Sequence, residues 1–249
     1  MLRVFIGYDH RQPVSYTVLQ HSIISQSSKP VAITPLVLPQ LPITRAGLTP
    51  FTFSRFLVPY LCDFEGWALF LDADMLLLDD ISQLFDFADK KYAIHVARNI
   101  QRFEWASAML FNCGHEANKV LIPEFVETGK ELHMINWLDD ALIGSFPSEW
   151  NHLIGYDSPR EDAKLLHYTQ GIPAFPETNS CEHADKWYRV HKQANSAIPW
   201  VDLMGKSVHA IKVNGRMVPK FLINQETSKP ASGQENKLRE LLTDVKKDG

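Results

Sequence analysis

The sequence predicts an α/β fold organised around a parallel sheet, and three observations carry that expectation. The chain opens on an apolar run, Leu2-Arg3-Val4-Phe5-Ile6, followed by a loop, a segment of helical period and a second apolar run at 31–38. This is the β-loop-α-β order of a parallel unit. A further apolar run at 67–71 ends in two acids spaced as on one face of a strand. The length of 249 residues, with 45% hydrophobic and 22% charged residues, allows one large domain, or one domain with a small annex, around a core of ordinary size.

The elements follow in order. The first strand ends in the loop Gly7-Tyr8-Asp9-His10-Arg11. A helix is expected over 13–27, with Pro13 in its first turn and Val14, Val18, Leu19 and Ile23 as its apolar stripe. The second strand covers 31–38, and the Pro-, Thr- and Gly-containing stretch 39–50 reads as a loop. Residues 53–62 read as a helix, 67–71 as the strand before the acids and 81–85 as a short helical turn. Strands are expected at 92–97 and 108–111, helices at 116–128 and 137–144, and a short strand at 165–168. A polar helix covers 184–195, a linker 229–234, and a terminal helix 237–247 with Leu238, Leu241, Leu242 and Val245 on one side. Residues 1–228 then form one domain, and 229–249 a linker and helix.

Composition removes several function classes. The net charge is −4 and the basic pair Lys246-Lys247 is interleaved with acids, so no nucleic-acid partner is expected. Cys62, Cys113 and Cys181 form no CxxC and no even framework, which suits a reducing compartment, with Cys62 and Cys113 as core residues. The first strand starts at once, without a basic-then-apolar leader, and no apolar run reaches 18 residues. The expectation is a cytoplasmic protein with no transmembrane segment. The terminal helix could touch the inner face of a membrane, but its alternating charges favour packing on the domain.

The chemistry concentrates in Leu71-Asp72-Ala73-Asp74-Met75. On an extended backbone Asp72 and Asp74 project to one side, where two unpaired like charges beside a buried strand would be costly. A divalent cation removes that cost and can in turn hold phosphates. His167, in Leu166-His167-Tyr168-Thr169-Gln170-Gly171, ends a short strand before a turn whose amides could approach a phosphate. Two carboxylates and one imidazole suit Mn²⁺; Mg²⁺ prefers all-oxygen ligation. Arg55 sits on the polar side of an apolar helical segment, where it could reach a diphosphate or a neighbouring acid. Asp139 and Asp140 read either as a solvated helix start or as carboxylates facing a reacting carbon.

In this order the landmarks resemble glycosyltransferase family 8, the glycogenin-like and lipopolysaccharide-galactosyltransferase-like enzymes. They are Val4-Phe5-Ile6-Gly7-Tyr8-Asp9, Phe53-Ser54-Arg55-Phe56, Phe70-Leu71-Asp72-Ala73-Asp74, Met109-Leu110-Phe111-Asn112, Leu138-Asp139-Asp140-Ala141-Leu142, Trp150-Asn151 and Leu166-His167-Tyr168-Thr169-Gln170-Gly171. The resemblance covers roughly residues 2–175. It implies a GT-A fold, a Rossmann-like, mostly parallel mixed sheet flanked by helices. It implies metal-dependent, retaining transfer of a hexose from a nucleotide-sugar, a UDP-sugar by family usage, to a glycan or glycolipid acceptor. Position by position, Asp72, Asp74 and His167 would hold the metal, and Gly7, Tyr8 and Asp9 would line the base and ribose. Arg55 would contact the diphosphate or the donor sugar, Gly171 would approach the diphosphate, and Asp139 or Asp140 would act at the sugar.

The chain departs from the family pattern in three places. Trp105 and Ser107 stand where an Asn-x-Gly is usual, Leu138-Asp139-Asp140 replaces Asp-Gln-Asp, and Ile172-Pro173-Ala174-Phe175 replaces a Lys-Pro-Trp. The missing lysine removes a charge from the diphosphate, for which Arg160, Lys164 or Lys186 could compensate. Phe103, Trp105, Trp137, Trp150 and Tyr156 are the aromatics nearest the mapped site. Two alternatives stand beside this reading. A haloacid-dehalogenase-like phosphatase would use Asp72 as nucleophile but needs a later Gly-Asp pair, which the chain lacks. A non-catalytic nucleotide- or sugar-binding fold would bind without turnover. A dinucleotide oxidoreductase is disfavoured because no Gly-x-Gly-x-x-Gly occurs.

Overall fold

The apolar run at the N-terminus forms β1 (Leu2–Gly7), and the chain returns through α1 (Pro13–Gln26) to β2 (Val31–Leu36), which pairs with β1 in parallel. A computed structural model describes residues 1–99, 101–198, 209–224, 226–227 and 229–243. The central sheet continues with β3 (Trp67–Leu71), β5 (Ile94–Ala97), β6 (Ala108–Asn112) and β7 (Ile143–Phe146), in the order β2-β1-β3-β6-β5-β7. Five of these strands run in parallel; β6 runs against both its neighbours. Pro35 is accommodated because β2 is an edge strand, where a missing N–H breaks no ladder. The GT-A expectation of a mixed, mostly parallel sheet flanked by helices holds.

A second, smaller sheet positions the chemistry. β4 (Met75–Leu77) pairs antiparallel with β9 (Leu165–His167), which pairs in parallel with β8 (His152–Leu153). Met75 lies opposite His167, and the Tyr168 amide donates to the Asp74 carbonyl at 2.9 Å. That register carries His167 across more than ninety positions of chain to the acid pair. The largest apolar cluster joins both faces of the β1–β3–β6 region, with Phe56, Phe70, Phe111 and Trp150 fully buried. Cys62 and Cys113 lie buried in it as free thiols. A satellite cluster beneath α1 and α4 (Ala184–Ala194) includes Val18, Leu166, Tyr168 and Trp187.

Three helical expectations change. Over 53–62 a 3₁₀ turn, Ser54–Leu57, runs into the short α2 (Val58–Leu61) with Pro59 in its first positions. Over 116–128 the chain forms a 3₁₀ turn at Glu116–Asn118 and then α3 (Pro123–Thr128). Pro123 forces Ile122 into extended backbone, at φ −85° and ψ 162°, so one helix cannot cross it. Over 137–144 there is only a 3₁₀ turn, Asp140–Leu142, before β7. Gly144 pairs there with His95 on β5, whose ring a Cβ at position 144 would strike.

The chain divides into two units, 1–194 and 195–249, whereas composition draws the division at 228/229. In the second unit the hairpin of β10 (Ala210–Val213) and β11 (Arg216–Pro219) contributes Val218 to a small core with Leu222, Ile223 and Leu238. Leu238 belongs to the terminal helix Glu235–Thr243, so hairpin and helix share one core. On that helix Leu238 is buried and Leu242 packs, but Leu241 faces outward; Val245 lies outside the described residues. Among the described residues no helix is long and apolar enough to cross a membrane.

Candidate active site and metal centre

β3 ends at Leu71, and the Asp72 amide extends its ladder by donating to the Ser107 carbonyl at 2.9 Å. The backbone then turns through Ala73 and Asp74 into β4. Oxygens of Asp72 and Asp74 and a ring nitrogen of His167 lie within 4.8 Å of one another. His167 Nε2 is 3.4 Å from Asp74 Oδ1. Asp72 Oδ1 and Asp74 Oδ1 are buried without a hydrogen-bond partner. Arg55 Nη1 approaches Asp72 Oδ1 at 3.0 Å as an ion pair, but its hydrogen bonds go to Asp72 Oδ2 at 3.2 Å and the Ala106 carbonyl at 2.9 Å. Two orphaned carboxylate oxygens beside an imidazole nitrogen are a donor set that a divalent cation would complete.

A network behind the cluster fixes the imidazole. Asn151 Nδ2 donates to Ser107 Oγ at 2.9 Å and to the Glu104 carbonyl at 3.4 Å, which turns its Oδ1 toward His167 Nδ1, 3.2 Å away. His167 Nδ1–H therefore donates to Asn151, and its Nε2 lone pair faces Asp74. The departure at Ser107 thus has a structural use: its hydroxyl settles which way the Asn151 amide points. Burial pushes the Asp72 carboxyl up to about 7, with Arg55 working against the shift and Asp74 adding to it. Burial disfavours the His167 cation, yet Asp74, then Glu104 and Asp72, outweigh it and hold that imidazole above its ordinary range.

The cluster opens into a cleft of about 270 Å³, walled by Phe51, Thr52, Arg55, Phe103, Glu104, His133 and Thr169 among others. Glu104 is the residue that sequence reasoning missed. It sits in the 3₁₀ turn Arg102–Ser107 with its carboxylate 3.8 Å from His167 Nδ1, and burial raises its pKa. Its nearness to β6 was the available signal. Phe103 is about half exposed on the same wall, and His133 was equally unannounced.

Other expected residues do not themselves line this cleft. Gly7 is packed against Phe51, whose ring a Cβ would strike. Tyr8 stacks edge-on against Tyr16 at 5.7 Å. Asp9 is buried, its carboxylate held below the usual range by Arg11, which donates to both of its oxygens and also to the Leu48 carbonyl. The Gly171 amide is taken by the Tyr168 carbonyl at 2.9 Å, and Gly171 lines a different cavity. Asp139 is exposed, and Asp140 pairs with Arg102 at 2.8 Å; neither lines the cleft. Trp105 is held by its indole N–H to the Asn99 carbonyl and by Arg98 and Arg102 over its ring, Trp150 is buried and Trp137 packs on Phe56. Lys164 binds Asp79 and Gln83, Arg160 binds Asp162 and Ser148, and Lys186 faces Glu161. None of the three cations lines the cleft.

Solved structures with this fold include the bifunctional glycosyltransferase WbbM, at 16% identity and a TM-score of 0.62, covering 80% of this chain and 50% of that one. They also include the glycosyltransferase GlyE of Streptococcus pneumoniae TIGR4, at 19% identity and a TM-score of 0.57, covering 76% and 60%. The galactosyltransferase LgtC, solved with donor and acceptor sugar analogues, matches at 13% identity and a TM-score of 0.57, covering 83% of this chain and all of its own. The chain thus spans half of WbbM and three-fifths of GlyE. No protein-family profile matches. In sequence the chain is 40% identical over 227 residues to Protein CDI of Arabidopsis thaliana, covering 78% of this chain and 87% of that protein. On that identity and coverage, the chain belongs to the Protein CDI family.

Proposed function

We propose that the protein is a metal-dependent, retaining glycosyltransferase of the family 8 type, moving a hexose from a nucleotide-sugar, a UDP-sugar, to a glycan or glycolipid acceptor. The observation that carries this reading is the convergence of Asp72, Asp74 and His167, with two orphaned carboxylate oxygens, on a cleft in a GT-A fold. Solution of LgtC with donor and acceptor sugar analogues supports the same ligand class here. The three residues would hold Mn²⁺ in preference to Mg²⁺, because one ligand is an imidazole. When bound, the cation would supply positive charge for the departing nucleoside diphosphate.

The chain's own residues do the remaining work. Asn151 and Ser107 lock the His167 ring, so the donor set is formed before the donor arrives. Arg55 holds Asp72 in register and adds charge to the cleft wall. Glu104 is the cleft carboxylate best situated to face positive charge developing at the anomeric carbon. Asp139 and Asp140 would act from the rim, Asp140 through Arg102, which neighbours Phe103 and Glu104 on one 3₁₀ turn. The test is hydrolysis and transfer with a panel of UDP-hexoses. Release of UDP that needs Mn²⁺, stops with EDTA and is lost in Asp74→Asn supports the reading. Metal-independent release, or hydrolysis of p-nitrophenyl phosphate in place of UDP-sugar, overturns it.

A further inference from the structure

A second group of metal-ligand side chains gathers where β8, the loop 157–163 and the residues before α4 meet. Glu182 Oε1 lies 3.2 Å from His152 Nε2 and 3.1 Å from His183 Nε2. Ligand atoms of all three lie within 4.8 Å of one another, and His152 is wholly buried. A four-coordinate cation with bonds of about 2.0–2.1 Å to imidazole nitrogen and carboxylate oxygen sets neighbouring ligands about 3.3 Å apart. The two measured separations therefore match adjacent corners of such a site. Two imidazoles and a carboxylate favour Zn²⁺ over hard, oxygen-seeking ions.

Hydrogen bonding alone explains most of the arrangement. Glu182 Oε1 accepts from the Arg160 amide at 3.2 Å, His152 Nε2 reaches both carboxylate oxygens at 3.2 and 3.3 Å, and His183 Nε2 donates to the Arg160 carbonyl at 2.9 Å, a bond that ligation through the same nitrogen would replace by moving its proton to Nδ1. What it does not explain is His152 Nδ1. If Nε2 carries the proton, buried Nδ1 presents a lone pair to Asp157 Oδ2, 3.6 Å away, and it has no hydrogen-bond partner. With Nε2 bound to a cation the proton sits on Nδ1 and faces that carboxylate, which is the carboxylate–histidine–metal relay that orients such ligands. A cavity of about 380 Å³, lined by Asp157, Cys181 and Glu182, opens beside the cluster as a route of entry.

We infer that His152, Glu182 and His183 form a Zn²⁺ site, distinct from Asp72, Asp74 and His167, with Asp157 as the positioning residue for His152. The site ties the start of α4 to β8, whose partner strand β9 carries His167. Neighbours in sequence then serve two centres: Asn151 orients His167 and His152 binds the second ion.

The test uses chelator-stripped full-length protein in an Asp74→Asn background, so that the first cluster is disabled, with Zn²⁺ affinity read by competition against a chromophoric chelator. One Zn²⁺ per chain is expected, with zinc-edge absorption showing two imidazoles and otherwise light-atom ligands. Glu182→Gln should weaken binding at least 100-fold, and Asp157→Asn by roughly 10-fold. Absence of Zn²⁺ binding in the Asp74→Asn protein, or unchanged affinity in Glu182→Gln, overturns the inference. Should Glu182→Gln fail to fold by circular dichroism, Asp157→Asn decides, and unchanged affinity there overturns it equally. Because the readout is Zn²⁺ affinity in a chain with its first cluster disabled, failure leaves the proposed transferase reading intact.

Discussion

The Asp74→Asn substitution tests the first cluster most directly, and the expected magnitudes follow from its geometry. Asp74 repels Asp72 across no more than 4.8 Å, about 3.5 kcal/mol at an effective dielectric of roughly 20. It attracts a protonated His167 across 3.4 Å, about 5 kcal/mol on the same scale. The Asp74 side chain is 29% exposed, so solvent shrinks both terms, and they oppose each other. Without metal the variant should therefore unfold within about 2 kcal/mol of the parent. The metal-induced shift is the diagnostic quantity. Mn²⁺ at about 100 times its Kd stabilises a single-site protein by about 2.7 kcal/mol. At about 2–4 °C per kcal/mol for a chain of this size, the parent should gain roughly 5–10 °C in Tm. Differential scanning fluorimetry with and without Mn²⁺ reads both proteins directly. A parent that gains nothing, or a variant that gains as much as the parent, refutes the argument that the orphaned oxygens are a cation's ligands.

Protonation gives the second prediction. Asp72 is pushed up to about 7 and His167 is raised, so the folded metal-free protein holds protons that the unfolded chain releases near pH 4 and pH 6.5. Metal-free stability should fall as pH rises from about 4 through 7 and beyond, and saturating Mn²⁺ should remove that fall; a Tm that climbs over this range without metal contradicts the assignment. By the same protons, Mn²⁺ affinity should weaken by about tenfold or more per unit below pH 7, as titration calorimetry would show. Arg55→Ala strips a nearly buried partner from Asp72 and should cost about 3–5 kcal/mol in urea unfolding. Gly7→Ala drives a methyl into the Phe51 ring and should cost about 1–3 kcal/mol by the same assay. Glu104→Gln should lower kcat about 100-fold or more while Mn²⁺ still raises Tm, and Asp140→Asn should do far less; the reverse order would return the reaction centre to the rim.

Much of the fold was legible because its signals are local. An apolar run bounded by loop residues names β1 and β3, and Pro13 with its stripe names α1. The failures have separate causes. At 137–144 the spacing of Trp137, Leu138, Ala141 and Leu142 matches a helix, but Ile143 and Phe146 are claimed by pairing with β5, and tertiary pairing overrides period. At 116–128 the breaker was in plain view: Pro123 permits a helix after it and forbids one through it. The terminal helix was found, but the hairpin that shares its core was not. Strands as short as β10 and β11 take their identity from each other and leave a weak trace in either segment alone.

The two clusters mark the same divide in the chemistry. Asp72 and Asp74 were legible as a pair from their spacing after an apolar run, although the strand ends at Leu71 and a turn, not extended backbone, brings their oxygens together. His167 was legible through resemblance and through the strand before it, but its partnership with the acids depends on Met75 lying opposite it across β4 and β9. No sequence period reports that register. Glu104 enters the cleft from a 3₁₀ turn whose last residue, Ser107, accepts from the Asp72 amide immediately before β6 begins, again a property of pairing. His152, Glu182 and His183 had no local signal at all, since a lone histidine and a Glu-His pair thirty residues later are ordinary surface sequence. β8 pairs with β9 and so seats His152 beside the strand that carries His167, while Glu182 and His183 come from the residues before α4. The three short strands thus seat one histidine of each cluster, and a shift of their register should disturb both, whereas a change to either donor set should leave the other's affinity for its cation intact.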